Sequence, residues 1–183
     1  MKRRLFVGIG LPKSTKQKLG KLLSGLGQDY PEIKWEVPEK LHLTLKFLGN
    51  TVVVPETILT SLRQKLADTS GFTLNFGEIA ILVNQQSLVV LEAISEENLL
   101  SLYHKINNVL ENLKFARDKR KFYPHVTLGR FTSQAGGWDL SHSNFKLPRV
   151  EVKTVTLWQS QSDKMGTTYV SLGEVVLREV LSS

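Results

Sequence analysis

The 183-residue chain has no cysteine. Disulfides and cysteine-built zinc sites are therefore excluded, and a reducing compartment such as the cytoplasm fits. It also lacks any apolar run long enough to span a bilayer, which excludes a helical membrane anchor. The opening Met1-Lys2-Arg3-Arg4-Leu5-Phe6-Val7-Gly8-Ile9-Gly10 begins as a signal peptide would. Its apolar run is too short, however, and Pro12-Lys13 follows with no small-residue cleavage site. We read it as a first strand. Linkers and low-complexity tracts are missing too, so we expect one domain over residues 1–183, acting as a monomer with no membrane partner. Histidine is scarce, with four in the chain: His42, His104, His125 and His142.

What is present in excess is positive charge. Net charge is +7 and the pI about 9.6. Such an excess draws polyanions and would steer RNA or nucleotides toward a cleft, although a plain solubility charge reads the same way. Apolar content of 41% and charged content of 22% are those of an ordinary globular protein.

Along the chain, Arg4 to Ile9 reads as a strand. Pro12 opens a helix with a Leu19, Leu22, Leu23, Leu26 stripe, ended by Gly25 and Gly27. Ile33 to Val37 is a short extended piece. A strand from Leu41 to Leu48 stops at Gly49-Asn50. Pro55 begins a second helix with Ile58, Leu59, Leu62 and Leu66 on one face. Phe72 to Val83 is one long strand or two short ones, with Gly77 at a bulge or turn. Asn84-Gln85-Gln86 then turns into a strand from Ser87 to Ala93. Ser95 caps a third helix, striped by Leu99, Leu102, Ile106, Val109, Leu110 and Leu113. After the basic run Arg117-Asp118-Lys119-Arg120-Lys121 comes a strand from Phe122 to Phe131. Thr132 to Asn144 is loop-like, and strands at Val150 to Gln159 and Thr167 to Arg178 close the chain.

Two of these strands carry the same phrase: His42-Leu43-Thr44-Leu45 and His125-Val126-Thr127-Leu128, 83 residues apart. Val7 and Val90 have the same separation in the strands two elements earlier. Equal spacing of both elements points to a duplicated β-α-β unit, with 4–48 equivalent to 87–131. Side chains alternate along a strand. His42 and Thr44 therefore share one face, with Leu41, Leu43, Leu45 and Phe47 on the other, in the core. His125 and Thr127 are backed in the same way by Val126 and Leu128. One His-x-Thr is usually structural, but two in equivalent strands form a pattern. A pseudo-two-fold would bring two imidazoles and two hydroxyls to one cavity. Imidazole changes protonation near neutral pH, so two of them can divide proton removal and donation around a phosphorus. The hydroxyls can donate to its non-bridging oxygens. A metal site would want a third histidine or carboxylates, which these strands do not supply, so we expect no metal and no cofactor. His104, mid-helix, and His142, in a loop, lack this context.

With its flanks included, the chain resembles the two-histidine phosphoesterases. More narrowly it is similar to bacterial and archaeal RNA 2′,3′-cyclic phosphodiesterases, also called 2′-5′ RNA ligases. The matching segments are Arg4-Leu5-Phe6-Val7, Trp35 and Pro38, Leu41 to Gly49, and Tyr123-Pro124-His125-Val126-Thr127-Leu128-Gly129-Arg130. The resemblance implies a bilobal α+β fold with antiparallel sheets lining a central cleft and helices outside. It implies RNA ends or cyclic nucleotides as substrates. By the family pattern His42 is the proton donor, His125 the proton acceptor, and Thr44 and Thr127 hold the phosphate. The family's arginine after the second motif maps to Arg130. Strict alternation puts Arg130 on the wrong face, unless Gly129 allows a bulge. Phe6 is a candidate for base stacking and equally for the core. The run Arg117 to Lys121 either contacts an RNA backbone or is a solvated loop. A non-catalytic RNA-binding module, and a phosphodiesterase for another cyclic phosphate or for 2′-5′ oligonucleotides, are the alternatives.

Overall fold

The computed structural model describes residues 2–83, 87–132, 149–164 and 166–179. The fold is α+β. Its elements are β1 (Arg3–Gly10), α1 (Lys13–Asp29), β2 (Ile33–Trp35), β3 (His42–Thr51), α2 (Pro55–Leu66), β4 (Phe72–Leu74), β5 (Phe76–Leu82), β6 (Leu88–Ala93), α3 (Glu97–Asn112), β7 (His125–Phe131), β8 (Val150–Val152), β9 (Thr154–Asp163) and β10 (Gly166–Val176). Eight strands form one antiparallel sheet in the order β10-β9-β1-β3-β7-β6-β5, with β2 also on β7, while β4 and β8 pair separately. The turn expected at 84–86 and the loop of 133–144, His142 included, lie outside the described residues.

The helices form for the reasons their stripes suggest. Ile58, Leu59, Leu62 and Leu66 of α2 are all buried, as are Leu99, Leu102, Ile106, Val109 and Leu110 of α3. These join Leu43, Leu45, Val126 and Leu128, the backs of the two motif strands, in one apolar cluster. Burial of that many large side chains, at about 1.5–3 kcal/mol each, is what fixes the motif strands in register.

Several boundaries differ from expectation. Neither Gly25 nor Gly27 ends α1, which runs on to Asp29. Glycine weakens a helix interior by only about 1 kcal/mol, and packing outweighs that. The stop comes at Tyr30, whose conformation is restricted by Pro31. At α3 the N-cap is Glu96, not Ser95, with no side-chain cap bond. The stretch from Val150 divides into β8 and β9 at Lys153.

The most consequential differences are bulges. Thr44 pairs with Gly8 but Lys46 with Val7, so Leu45 is an extra residue. Thr127 pairs with Val90 but Gly129 with Val89, so Leu128 is an extra residue at the matching place. Gly8 and Val90, not Val7 and Val90, are the matching positions, 82 residues apart. A second slip near Leu48 carries β3 through Gly49 to Thr51, past the expected stop. A bulge resets alternation downstream of it. Hence Lys46 is 3% exposed, and Phe47, expected in the core, is 65% exposed. The same reset in β7 turns Arg130 to the His125 face, half-exposed.

Candidate active site

One pair, Leu43 with Val126, joins β3 to β7. Beyond it the strands splay, and β2 takes the vacated edge of β7 along Gly129 to Phe131. Gly129 is required there, because a Cβ would lie 2.7 Å from Ile33 Cγ2. Leu43 and Val126 point into the core, so their neighbours point to the opposite face. Continuing the register sets His42 across from Thr127 and Thr44 across from His125. His125 is near enough for its charge to bear on His42. The four motif residues thus form one cluster at the mouth of the split, all partly exposed.

Each imidazole is held by the carbonyl two residues upstream. His42 Nδ1–H donates to Lys40 O at 2.6 Å, and His125 Nδ1–H to Tyr123 O at 2.8 Å. The upstream segments are rigid for different reasons. A 3₁₀ turn, Pro38–Lys40, precedes the first motif. Pro124 precedes the second, with its carbonyl accepting from Ala93 N at 2.9 Å. A carbonyl can only accept, so Nδ1 carries a proton in both rings and Nε2 is the nitrogen left for chemistry. His42 Nε2 lies 3.0 Å from Thr44 Oγ1.

The surroundings of the two rings differ. Around His42 stand Phe6 (ring centroids 4.9 Å apart), Tyr169 (5.1 Å) and Trp158 (5.5 Å). Burial lowers the His42 pKa; the Lys40 carbonyl and the Glu36 charge raise it less, and Lys16 and His125 add to the lowering. His125 sits 5.8 Å from the Tyr123 ring and pairs across the ladder with Glu92. The Tyr123 hydroxyl donates to Glu92 Oε1. Burial, with this bond and the Glu92 charge, pushes that phenol up to about 12.

Arg130 donates from Nε to Glu36 Oε1 at 3.2 Å and keeps 41% of its side chain exposed. Lys16, half-buried on α1, donates to Glu39 O at 2.7 Å and belongs to the charge environment of His42. Of the two readings of Phe6, burial favours the core. The residue is 2% exposed, covered by Trp158 at 5.2 Å and by His42, and offers no face to a base. Near His42, solvent reaches the rings of Phe47, Trp158 and Tyr169.

Sequence reasoning missed Trp158, Tyr169 and Glu36. The first two come from β9 and β10, which carry no trace of the repeat. One signal was available: Phe6-x-Gly8-x-Gly10 leaves a strand face nearly bare. A Cβ on Gly8 would lie 2.4 Å from Leu43 O and 3.2 Å from the Trp158 ring, so the glycine makes room for the tryptophan. Among the described residues no three His, Asp or Glu side chains gather as a metal-binding group, and no helix is long and apolar enough to cross a membrane.

The architecture recurs in solved structures. E. coli LigT complexed with 3′-AMP superposes with a TM-score of 0.79 at 25% identity, covering 97% of this chain and 99% of that one. The fold is therefore that of the LigT-like phosphoesterases. A family model described as the 2′-5′ RNA ligase superfamily matches residues 33–164. An RNA 2′,3′-cyclic phosphodiesterase of Archaeoglobus fulgidus is 30% identical, over 92% of this chain and 97% of its own. One of the same name from Methanocaldococcus jannaschii is 28% identical over 69% and 70%. The chain belongs to the 2′-5′ RNA ligase superfamily of two-histidine phosphoesterases.

Proposed function

We propose that the protein hydrolyses RNA 2′,3′-cyclic phosphate ends to 2′-phosphomonoesters by acid–base catalysis at His42 and His125, without a metal. The observation that carries this reading is the matched pair of Nδ1–H bonds to Lys40 O and Tyr123 O. They leave two Nε2 atoms of one tautomer for one small site. The names of the relatives supply the substrate class.

In the forward direction water attacks phosphorus in line with the P–O3′ bond. His125 Nε2 takes the water proton as the new P–O bond forms. The P–O3′ bond breaks, and the His42 imidazolium gives its proton to O3′. The product carries a 2′-phosphate and a 3′-hydroxyl. Each turnover leaves His42 neutral and His125 charged, and proton exchange with solvent restores them. Thr44, Thr127 and Arg130 hold the non-bridging oxygens, where charge builds in the transition state. The phosphate charge favours the imidazolium of His42, offsetting its burial. Phe47, Trp158 and Tyr169 flank the terminal base. In reverse, the same groups join a cyclic end to a 5′-hydroxyl through a 2′-5′ bond. Residues 1–183 act as one bilobal unit with 4–48 and 87–131 as its halves, a reading supported by the bulge they share.

Incubation with an oligonucleotide ending in a 2′,3′-cyclic phosphate, in EDTA, tests this. Phosphorus NMR should show a 2′-phosphomonoester. A 3′-phosphomonoester, no product, or activity that returns only with added metal would overturn it.

A further inference from the structure

The segment between α3 and β7 is not used by the mechanism above, and its charges are unequally committed. Asp118 pairs with Lys46 Nζ at 2.9 Å, and the same Nζ donates to Ala116 O at 2.7 Å. A buried lysine on the core side of β3 therefore pins the start of the segment. Arg117 is tied to Asn108 Oδ1 at 2.8 Å and to Glu111 at 3.6 Å. Lys119, Arg120 and Lys121 are exposed and make no ion pair or hydrogen bond among the described residues. The far end is pinned at Tyr123 and Pro124.

Between this segment and α3 lies a cavity of about 540 Å³. Its aromatic lining is Phe122, partly exposed, which stacks on the buried Tyr103 with centroids 3.8 Å apart and planes within 11°. Arg120, Lys121 and the exposed His104 stand in its lining, and Asp118, the acid among them, is neutralised by Lys46. Its wall includes Asn107, 4% exposed, whose Nδ2 donates to Tyr103 O while Oδ1 lacks a partner among the described residues. Aromatic floors with cationic rims are how single strands are held without sequence preference.

We infer that this cavity and the cations of 119–121 form a second binding site, for the RNA strand upstream of the cyclic phosphate. The inference rests on the hydrolytic reading above and sharpens its substrate to polynucleotide ends over mononucleotides. Lys121 precedes His125 by four residues, so it lies within about 14 Å of the catalytic strand even if the chain is fully extended. The cavity lies on the α3 side of the sheet, so a strand whose last phosphate is at His125 would reach it around the Tyr123–Pro124 end of β7.

The test compares wild type with Arg120→Glu/Lys121→Glu and with Lys18→Glu/Lys21→Glu, a pair on α1 that matches the charge change. Each is given a mononucleoside 2′,3′-cyclic phosphate and a cyclic-phosphate-ended decanucleotide. Strand binding is followed by fluorescence anisotropy from 50 to 200 mM salt. The first variant should lose about tenfold in kcat/KM on the decanucleotide and keep its mononucleotide rate. Losing two phosphate contacts should flatten the salt dependence of binding by roughly sevenfold over that range. Unchanged decanucleotide kinetics and binding, equal losses on both substrates, or the same loss in the α1 variant would overturn the inference. Were the wild type to turn over neither substrate, the hydrolytic reading would fall, and the binding arm would still decide this one.

Discussion

His42 and His125 hold matching places in matching strands, yet they stand in different company. Both donate from Nδ1 to the carbonyl two residues back, and both precede a bulge at the leucine three residues on, Leu45 and Leu128. From there the halves diverge. After the first bulge come Lys46, buried toward α3, and Phe47, exposed. After the second come Gly129, packed under β2, and Arg130, held by Glu36. The position opposite Thr44 is Gly8, beneath Trp158; the position opposite Thr127 is Val90, fully buried. The backbone of the site is therefore paired, while the side chains around it are not. A paired backbone can aim two imidazoles at one phosphorus. Only unpaired surroundings can make one of them the acid.

The largest effects should come from breaking the pairing itself. His42→Ala or His125→Ala should each lower kcat by about 10²–10⁴, the usual contribution of one acid or base. The double variant should be little worse than either, because the two act as a unit. Rates of 2′-phosphomonoester formation, with circular dichroism to confirm folding, check this. Additive losses would mean that the histidines work separately.

Next come the residues after the bulges, where the halves differ most. Arg130→Ala should cost about tenfold to a hundredfold in kcat/KM on the smallest cyclic substrate, as loss of one charge-assisted phosphate contact does. Arg130→Lys should recover only part of this, because the lysine cannot keep the Nε bond to Glu36. The corresponding change in the other half, Phe47→Ala, should raise KM by less than tenfold and leave kcat nearly intact, since it removes a stacking face at most. Equal effects at the two positions would show that the asymmetry has no kinetic meaning.

Lys46 compares the halves through stability. It fills with charge a place that Gly129 fills with backbone. Lys46→Ala leaves the Ala116 carbonyl unpaired and releases Asp118, and we expect a loss of about 2 kcal/mol. Asp118→Ala should cost under 1 kcal/mol, because its carboxylate is half-exposed and solvent screens the pair. Urea melts of both variants decide it. Equal losses would mean that the carbonyl contact contributes nothing.

How much of this was legible in the sequence follows from the same comparison. The motif residues, their apolar backs and the helix stripes are periodic features, and period can be read from one chain. Bulges are breaks in period, set by how two strands fit, so strict alternation placed Phe47 in the core. Gly129 hinted at a bulge, but the inserted residue is Leu128, one position earlier. Trp158 and Tyr169 reach His42 from strands over a hundred residues away, through the β1–β9–β10 ladder, and no local pattern announces such a meeting. Gly25 and Gly27 misled in the opposite way, since tertiary packing carried α1 through both.

The smallest effect addresses which histidine is the acid, which pairing alone leaves open. Burial in the aromatic cage lowers the His42 pKa, and the Glu36 carboxylate is one of the influences holding it up. Glu36→Gln removes that influence and releases the Arg130 guanidinium, so both changes push His42 further down. A plot of kcat/KM against pH for this chemistry has two limbs, because one group must be protonated and the other not. As proton donor, His42 must be charged, and activity is lost as pH rises through its pKa. Glu36→Gln should then move the alkaline limb to lower pH and leave the acid limb in place. Were the acid limb to move instead, His42 would be the base and His125 the donor. Proton NMR titration of the His42 ring, in the wild type and in Glu36→Gln, ties the moving limb to this residue. A limb that moves without the ring resonance would assign the effect to the displaced Arg130.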